Sequence, residues 1–366
     1  MKTKTLTNLF RKVCLLGLAL VSFTAIAQEE APAAAEETKW YDNFSVSGSV
    51  DTYFRTNLTA PNTLIDFGDD DISFMAPGTS FANQSGFSLG MVNTVISYEG
   101  EKAGFVADLV YGPRGEDAVF LSDDSSQIVN QLYAYWNASE SVTFTIGNFN
   151  TYLGYEVISP TGNFNYSTSY MFSFGPFSHT GIKADFALND NWSAMLAIMN
   201  PTDYTENNPF DTYIVGAQLG YSNDSGSAYL NFRYGNEGLP GPSEPTFQAD
   251  LTTGWDVSED FYFGFNGTYL DTDGEGFYGA AIYPQYQTSE TFALGLRGEY
   301  FNVFSGVDGV DDVDVTAITL TGSYEVGSLT FKPEFRIDSS DDAFLDKDLE
   351  VTNSLSSFVL GAIYSF

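Results

Sequence analysis

The chain has 366 residues, with 48 Asp and Glu against 14 Lys and Arg, and it contains one Cys and one His. A disulfide framework or a zinc–thiolate site needs several cysteines, and nucleic-acid binding needs a basic face, whereas this chain has a formal net charge of -34. Aromatic residues make up 16% of the chain and charged residues only 17%, which argues against a disordered acidic polypeptide. We therefore predict a folded protein with no nucleic-acid partner and no cofactor.

The N-terminal region has the pattern of a secretory signal peptide. Basic residues precede an apolar stretch from Val13 to Ile26, and Ala25-Ile26-Ala27 forms a small-residue cleavage motif. We predict that residues 1–27 are removed, and Cys14 with them, and that residues 28–43 are a flexible periplasmic lead-in. No later window has 18 uncharged apolar residues, so no helical membrane anchor is expected.

From Phe44 onward, apolar and polar residues alternate with a period of two, which is typical of strands with one apolar and one polar face. We predict sixteen strands, at 44–57, 86–98, 101–112, 126–138, 141–149, 177–189, 191–199, 211–222, 225–234, 246–257, 260–271, 276–288, 290–302, 313–325, 328–338 and 352–366.

The connections between these strands indicate the fold. Tight turns follow the even-numbered strands, and longer loops follow the odd-numbered ones, the longest being 58–85 and 150–176. This layout predicts an all-β protein, a transmembrane antiparallel up-and-down β-barrel with short periplasmic turns and long extracellular loops. A secreted β-sandwich or propeller would also have alternating strands. Aromatic residues at the ends of many apolar faces, such as Tyr111, Trp255 and Tyr300, favour the barrel because rings of this kind form girdles at the membrane surface.

The charged residues within the strands are assigned to the interior. A charge on the lipid-facing side costs about 2–4 kcal/mol near the bilayer midplane, so inward placement is expected. A barrel of this size is too wide for its own side chains to fill, so its interior should hold water unless a loop obstructs it. The candidate pore-lining residues are Asp51, Arg55, Asp108, Lys183, Asp185, Arg233, Asp250, Arg297, Glu299, Lys332, Glu334 and Arg336. The alternative is that they are solvated wall charges with no selective role.

The segment 150–176 is long, rich in aromatic residues and has a single charge, Glu156. Such a loop is poorly suited to lie wholly in water. We predict that it folds into the barrel as a constriction, whereas packing over the rim or between subunits is the alternative. The candidate constriction residues are Tyr152, Tyr155, Glu156, Phe164 and Tyr166.

Other functional classes are less well supported by the residues. Acidic runs at 69–71, 308–314 and 338–342 are interpreted as solvated loops, and divalent-cation binding by their carboxylates is the alternative. Asp271–Gly276 resembles the start of a calcium loop but lacks its later Glu, so no metal site is predicted. A Ser/His hydrolase would have to use His179, and nothing places a nucleophilic Ser beside it, so no enzyme activity is predicted. A surface protein whose loops bind a ligand or partner is the alternative function.

Several stretches resemble the OmpL-like family of β-barrel porins of Gram-negative outer membranes. They are Gly147-Asn148-Phe149, Gly154-Tyr155-Glu156, Asn163 to Ser167, Pro176 and His179-Thr180-Gly181, and the terminal Tyr364-Ser365-Phe366 suits an outer-membrane insertion signal. The resemblance in architecture covers nearly all of the chain after the predicted signal peptide, but its specific residues lie between 147 and 190. It implies a porin for passive diffusion of small hydrophilic solutes or ions. Its expected partners are outer-membrane lipid and lipopolysaccharide, the barrel-assembly machinery acting on the C-terminal strand, and further copies of the chain in a homo-oligomer.

Overall fold

The structure is a computed structural model that describes residues 39–68, 71–122, 124–307 and 309–366. The predicted signal peptide (1–27), most of the predicted lead-in, and Asp69, Asp70 and Asp308 of the acidic runs lie outside the described residues. The described end of the lead-in forms a 3₁₀ turn at Trp40–Asn43 directly before the first strand.

Eighteen strands form in the described part of the chain, and nearly all of them are long enough to cross a bilayer when tilted. In chain order they are β1 (Phe44–Asn57), β2 (Leu64–Gly68), β3 (Asp71–Phe74), β4 (Gly86–Glu99), β5 (Ala103–Tyr111), β6 (Val129–Ser139), β7 (Val142–Asn150), β8 (Ser178–Ala187), β9 (Trp192–Met199), β10 (Ile214–Asn223), β11 (Gly226–Asn236), β12 (Pro245–Asp256), β13 (Phe261–Thr272), β14 (Glu275–Ser289), β15 (Phe292–Phe304), β16 (Val313–Val326), β17 (Leu329–Leu345) and β18 (Val351–Ser365).

Sixteen of these strands, β1 and β4–β18, form one closed antiparallel barrel in which neighbours in sequence are neighbours in the sheet. The barrel closes where β1 pairs with β18, and Gly48 and Phe366 exchange two backbone hydrogen bonds of 3.1 and 3.0 Å there. Closure leaves no unpaired sheet edge, as a membrane-spanning sheet requires. The prediction of a sixteen-strand antiparallel barrel is confirmed, and each predicted strand overlaps one barrel strand.

The two ends of the barrel differ in the length of their connections. At the end where β1 begins and β18 ends the turns are short, at 100–102, 140–141, 188–191, 224–225, 257–260, 290–291 and 327–328. The other end has the longer loops 58–85, 112–128, 151–177, 200–213, 237–244, 305–312 and 346–350. One connection at this end is an exception, since β13 and β14 meet in a two-residue turn.

That turn is formed by Asp273 and Gly274, whose φ angles are 54° and 87°. Two successive positive φ values are typical of the tight hairpin turns whose twist matches that of the strands, and Asp-Gly is a preferred pair for them. The stretch with a resemblance to a calcium loop is therefore a hairpin turn. No group of three or more His, Cys, Asp or Glu in the described residues is arranged to hold a metal ion.

Three features of the loop end were not predicted. The strands β2 and β3 form a separate hairpin within the loop 58–85. Two short helices also form, α1 (Pro113–Ala118), with Pro113 at its first position, and α2 (Tyr170–Phe174), capped by the Ser169 side chain. The third difference is that β17 continues to Leu345 rather than ending at 338, with an irregular register between Ser339 and Phe344. The interpretation of the acidic run 338–342 as a solvated loop is therefore wrong, because these residues extend β17 and Asp338 is buried.

Side chains alternate between the two faces of the wall as the period of two predicts. On β17, Glu334 and Arg336 are 0% and 2% exposed, whereas Phe335 and Ile337 between them are 53% and 52% exposed. Large apolar side chains therefore cover the outside of the barrel, and the charged ones face the interior. Among the described residues, no helix is long and apolar enough to cross a membrane.

Candidate functional site: the barrel interior

The connection between β7 and β8 enters the barrel. We call residues 151–177 the lumenal segment. Its first half contacts the wall at β11, β12 and β13: Tyr152 Oη donates to Phe232 O (2.8 Å), the Gly154 amide donates to Asp250 Oδ1 (3.0 Å), and the Tyr155 and Tyr262 hydroxyls lie 2.9 Å apart. The Tyr155 ring also stacks on Tyr283 of β14, with ring centroids 4.1 Å apart. The predicted constriction segment thus lies across the interior, and its role in conduction remains a prediction.

From residue 160 onward, the lumenal segment is held by basic residues that donate to its carbonyl groups. Arg297 of β15 donates to Ser167 O (2.7 Å), and Arg336 of β17 donates to Thr168 O (2.7 Å). Lys332 of β17 donates to Pro160 O (2.8 Å) and also to Asn163 O. Peptide carbonyls in an irregular segment lack the partners that a helix or sheet would supply, so these cations take the place of water.

Acidic residues of the wall accept hydrogen bonds from the amide groups of the same stretch. Glu334 of β17 accepts from the amides of Tyr166 (2.8 Å) and Ser167 (3.2 Å). Glu299 of β15 accepts from the amides of Tyr170 (3.0 Å) and Met171 (2.9 Å), the first residues of α2, whose N–H groups have no partner within the helix. Charges of both signs on β15 and β17 therefore bind the backbone of one short stretch.

One ion pair joins the lumenal segment to the wall. Arg297 Nη1 lies 2.6 Å from Glu156 Oε1, and both side chains are at most 2% exposed. The other oxygen of Glu156 accepts the Ser169 amide (2.6 Å), so the carboxylate also fixes the turn that begins α2. The single charge of the segment is thus matched inside the barrel.

Arg114 is an interior residue that sequence reasoning missed, because it lies in a loop without any strand periodicity. It belongs to α1, is buried, and donates to Tyr166 O (2.9 Å) and Ile158 O (3.2 Å). Its guanidinium also lies over the ring of Tyr166, 4.9 Å from the centroid. A Gly-Pro pair before an Arg, which favours a short helix start, was the available signal.

Apolar contacts complete the packing of the lumenal segment. Phe172 and Phe177 pack with Phe81 of the loop 58–85 and with Val110 of β5 in one buried cluster. Tyr170 and Met171 belong to a second cluster with inward residues of β14–β16, which include Phe277, Ala281, Phe301, Val315 and Ala317. The core of this protein therefore lies inside the barrel and is built around the lumenal segment.

The remaining predicted wall charges also have hydrogen-bond or ion-pair partners. Asp51 accepts from the Met91 amide and the Tyr166 hydroxyl, and Arg55 donates to Met75 O and Asn57 Oδ1. Asp108 and Asp250 are surrounded by side-chain amides, which donate to Asp108 from Asn93, Asn130 and Gln131 and to Asp250 from Asn231 and Asn266. Arg233 pairs with Glu237 and donates to Gln248, and Lys183 pairs with Asp185 at 2.7 Å.

Exposure divides the twelve candidate pore-lining residues into two groups. Ten of them are at most 5% exposed, because the lumenal segment or neighbouring side chains cover them. Lys183 and Asp185 on β8 keep 22% and 13% of their side-chain surface exposed. The lumenal segment packs on this side of the wall as well, against Val110 of β5 and against the cluster that includes Met199 of β9, but Lys183 and Asp185 keep part of their surface in solvent. That the twelve residues line a path for solutes remains a prediction.

Two titratable groups lie where the lumenal segment returns to the wall. His179 at the start of β8 is fully buried, and its Nε2 lies 3.0 Å from Thr151 Oγ1. Asp203 of the loop 200–213 accepts the amides of Phe177 and Ser178, each at 2.8 Å. Removal of the Asp203 carboxyl from water raises its pKa to about 6, although the two amides and Arg233 act in the opposite direction.

A closed sixteen-strand barrel with an apolar outside, charged interior and a connection folded inward defines the class of outer-membrane porins. Residues 43–366 match the family model described as "Putative beta-barrel porin-2, OmpL-like". The chain belongs to this family of outer-membrane porins, as the resemblance of its sequence implied. A comparison with curated protein sequences finds no match.

Solved structures with the same fold have low sequence identity to this chain. The outer-membrane channel DcaP of Acinetobacter baumannii is 12% identical, with a TM-score of 0.59 over 88% of this chain and 97% of that chain. The anion-selective porin from Comamonas acidovorans is 11% identical, with a TM-score of 0.57 over 88% and 99%. OmpT of Vibrio cholerae is 13% identical, with a TM-score of 0.54 over 88% and 97%. At these identities the likeness concerns the fold alone.

The buried ion pair between the lumenal segment and the wall predicts a large loss of stability when one partner is removed. We expect Glu156→Gln to lower the free energy of unfolding by about 3–5 kcal/mol, because Arg297 then remains buried without its counter-charge. Urea unfolding of the refolded protein in lipid vesicles measures this. Arg297→Met combined with Glu156→Gln should lose much less than the sum of the two single changes, and strict additivity would contradict the pairing.

The raised pKa of Asp203 predicts that the anchor of the lumenal segment weakens with rising pH. The folded pKa of about 6 exceeds the ordinary 3.8, so the folded state binds more protons between these values and its stability falls as pH rises through that window. Hydrogen exchange of the Phe177 and Ser178 amides, corrected for the intrinsic pH dependence, should show the loss. Asp203→Asn keeps an oxygen acceptor and should remove the pH dependence; an unchanged profile in this variant would assign the effect to another group.

Proposed function

We propose that the protein is a narrow, passive diffusion channel for small hydrophilic solutes or ions in the outer membrane, and that the lumenal segment is its constriction. The observation that carries this proposal is the position of residues 151–177 across the interior, bound to wall charges on β15 and β17. Membership of a porin family supports the channel, and the extent of the packing supports a small conducting cross-section.

We further propose that solutes pass along the arc β5–β9 of the wall. This arc holds Lys183 and Asp185, which retain solvent exposure, and the amide-bearing side chain of Gln131, which is partly exposed. A path along this side would meet one cation and one anion 2.7 Å apart, which together impose a local field but little net charge. The remaining wall charges would then act by holding the lumenal segment.

A non-enzymatic role is part of the proposal. Hydrolase chemistry would depend on His179, and this side chain is fully buried beside Thr151 and the ring of Tyr152 rather than open to a substrate. We propose outer-membrane lipid and lipopolysaccharide as the surroundings of the apolar outer face, and the barrel-assembly machinery as the partner of β18. Homo-oligomerisation is also proposed; a structure of OmpT of Vibrio cholerae with this fold is described as a trimer form.

Removing the constriction should enlarge the channel. We expect a variant in which residues 155–172 are replaced by a short Gly-Ser linker to conduct several-fold more current per channel than the full chain in planar bilayers, because the occupied cross-section becomes water. The matched control removes residues 306–311 from an outer loop and should leave conductance unchanged. Equal conductance in the first variant would reject the constriction, and a full chain without any conductance steps would favour a surface protein instead.

The proposed path also predicts ion preference. We expect Lys183→Gln to shift the reversal potential in a salt gradient toward cation selectivity, and Asp185→Asn to shift it toward anion selectivity, since each change leaves one unpaired charge beside the path. Lys347→Gln, the same change at an exposed position on the loop 346–350, is the control and should have little effect. If neither β8 variant moved the reversal potential, the path would not run along this arc.

A further inference from the structure

Four aromatic side chains of the lumenal segment each lie against a glycine of the barrel wall. Tyr152 lies against Gly216 of β10, Tyr155 against Gly264 of β13, Phe164 against Gly295 of β15, and Tyr166 against Gly361 of β18. All four glycines face the interior, and the aromatic rings occupy the space in which a wall side chain would otherwise begin. We call these four wall positions the glycine notches.

The contacts at Gly361 and Gly295 leave no room for a methyl group. A Cβ atom at Gly361 would lie 2.7 Å from both Cγ and Cε2 of Tyr166, and one at Gly295 would lie 2.5 Å from Cδ1 and 3.0 Å from Cζ of Phe164. Carbon atoms in contact are normally about 3.5–4.0 Å apart. Because whole rings are involved, a side-chain rotation alone cannot relieve the overlap and the segment itself must move.

At the other two notches the ends of the tyrosine side chains fill the space. A Cβ atom at Gly264 would lie 2.5 Å from the Tyr155 hydroxyl oxygen, and one at Gly216 would lie 3.0 Å from Cζ of Tyr152. Both tyrosines use the close approach to place their hydroxyl groups on wall partners, Tyr262 and Phe232 O. These two notches position hydrogen bonds rather than whole rings.

Backbone conformation does not require glycine at these positions. None of the four has φ in the left-handed region, in contrast to turn glycines such as Gly274 and Gly327. Glycine within a strand costs stability, and it is retained where another group approaches the backbone closely. What these positions supply is therefore the absence of a side chain on the inner face.

We infer that the glycine notches are positioning elements that seat the lumenal segment at one place in the channel, with Gly361 and Gly295 as the principal ones. This inference rests on the proposed function only in so far as the seat sets the width of the channel. Wall residues that touch no solute thus decide how far the segment projects into the interior.

Tyr166, the residue that lies against Gly361, has several further contacts with the interior of the barrel. It is fully buried, its hydroxyl donates to Asp51, its amide donates to Glu334, and its carbonyl accepts from Arg114. A methyl group at Gly361 that displaces the ring would weaken all three contacts together. Displacement at one notch is therefore expected to free the segment rather than to shift one ring.

The test measures seating and conduction separately. Ser167→Cys, in a background with Cys14→Ser to remove the only native thiol, places a thiol in the buried centre of the segment. We expect Gly361→Ala and Gly295→Ala to raise the rate of labelling of this thiol by a small maleimide at least several-fold, and to raise single-channel conductance in planar bilayers. The matched control is Gly298→Ala on the outer face of β15, where the nearest atom, Ile282 Cγ1, is 3.6 Å away and neither quantity should change.

The outcomes separate the two proposals. An unchanged rate of thiol labelling in Gly361→Ala and Gly295→Ala would overturn the inference that the glycine notches position the segment, whatever the conductance. Faster labelling with unchanged conductance would support positioning by the glycine notches and would overturn the proposal that the lumenal segment is the constriction. If Gly361→Ala did not fold, adding Tyr166→Ala should restore a closed barrel, because the methyl group then has space; failure of this rescue would also overturn the inference.

Discussion

Every peptide group that leaves a sheet or helix inside a barrel has to find a hydrogen-bond partner, and this constraint organises the interior of the protein. A buried, unpaired N–H or C=O costs about 1–3 kcal/mol, and the lumenal segment is mostly irregular. Its carbonyl groups are met by Arg297, Lys332 and Arg336, and its amide groups by Glu299 and Glu334. The wall charges on β15 and β17 thus act on the segment as water would, while holding it in one place.

This arrangement gives most of the charged side chains inside the barrel a structural role. Charged side chains facing the inside of a wide barrel suggest a field acting on passing ions, yet most of those on β15–β17 bind protein groups at short range. Lys183 and Asp185, by contrast, pair with each other and keep part of their side-chain surface in solvent. Under the proposed function, electrostatic control of conduction would fall to this one pair, and the other wall charges would hold the lumenal segment in place. The apolar clusters that contain Phe172 and Met171 add non-directional packing that holds the lumenal segment against the wall.

The barrel could be predicted from the sequence because its signals are local and repeated. Alternation along each strand, short turns after every second strand and terminal aromatic residues are all visible within about ten positions. The inward assignment of wall charges followed from the same alternation. Features with long-range causes could not be predicted: Glu156 and Arg297 are 141 positions apart, and nothing in either neighbourhood indicates the other. Arg114 and the hairpin β2–β3 lie in loops whose form depends on packing against the barrel. The four notch glycines could have been recognised from the sequence as points of close approach, since each occupies an inward position of its strand.

The place of the lumenal segment in the chain has a consequence for assembly. It lies between β7 and β8, whereas Glu334 and Gly361, which hold Tyr166, belong to strands near the C-terminus, and Asp51 belongs to the first strand. Contacts at such separations form only after long stretches of chain have been brought together. The contacts of Tyr166 with Asp51 and Gly361 therefore require β1 and β18 to lie side by side, as they do where the barrel closes. Closure of the barrel and placement of the segment are thus linked through one side chain.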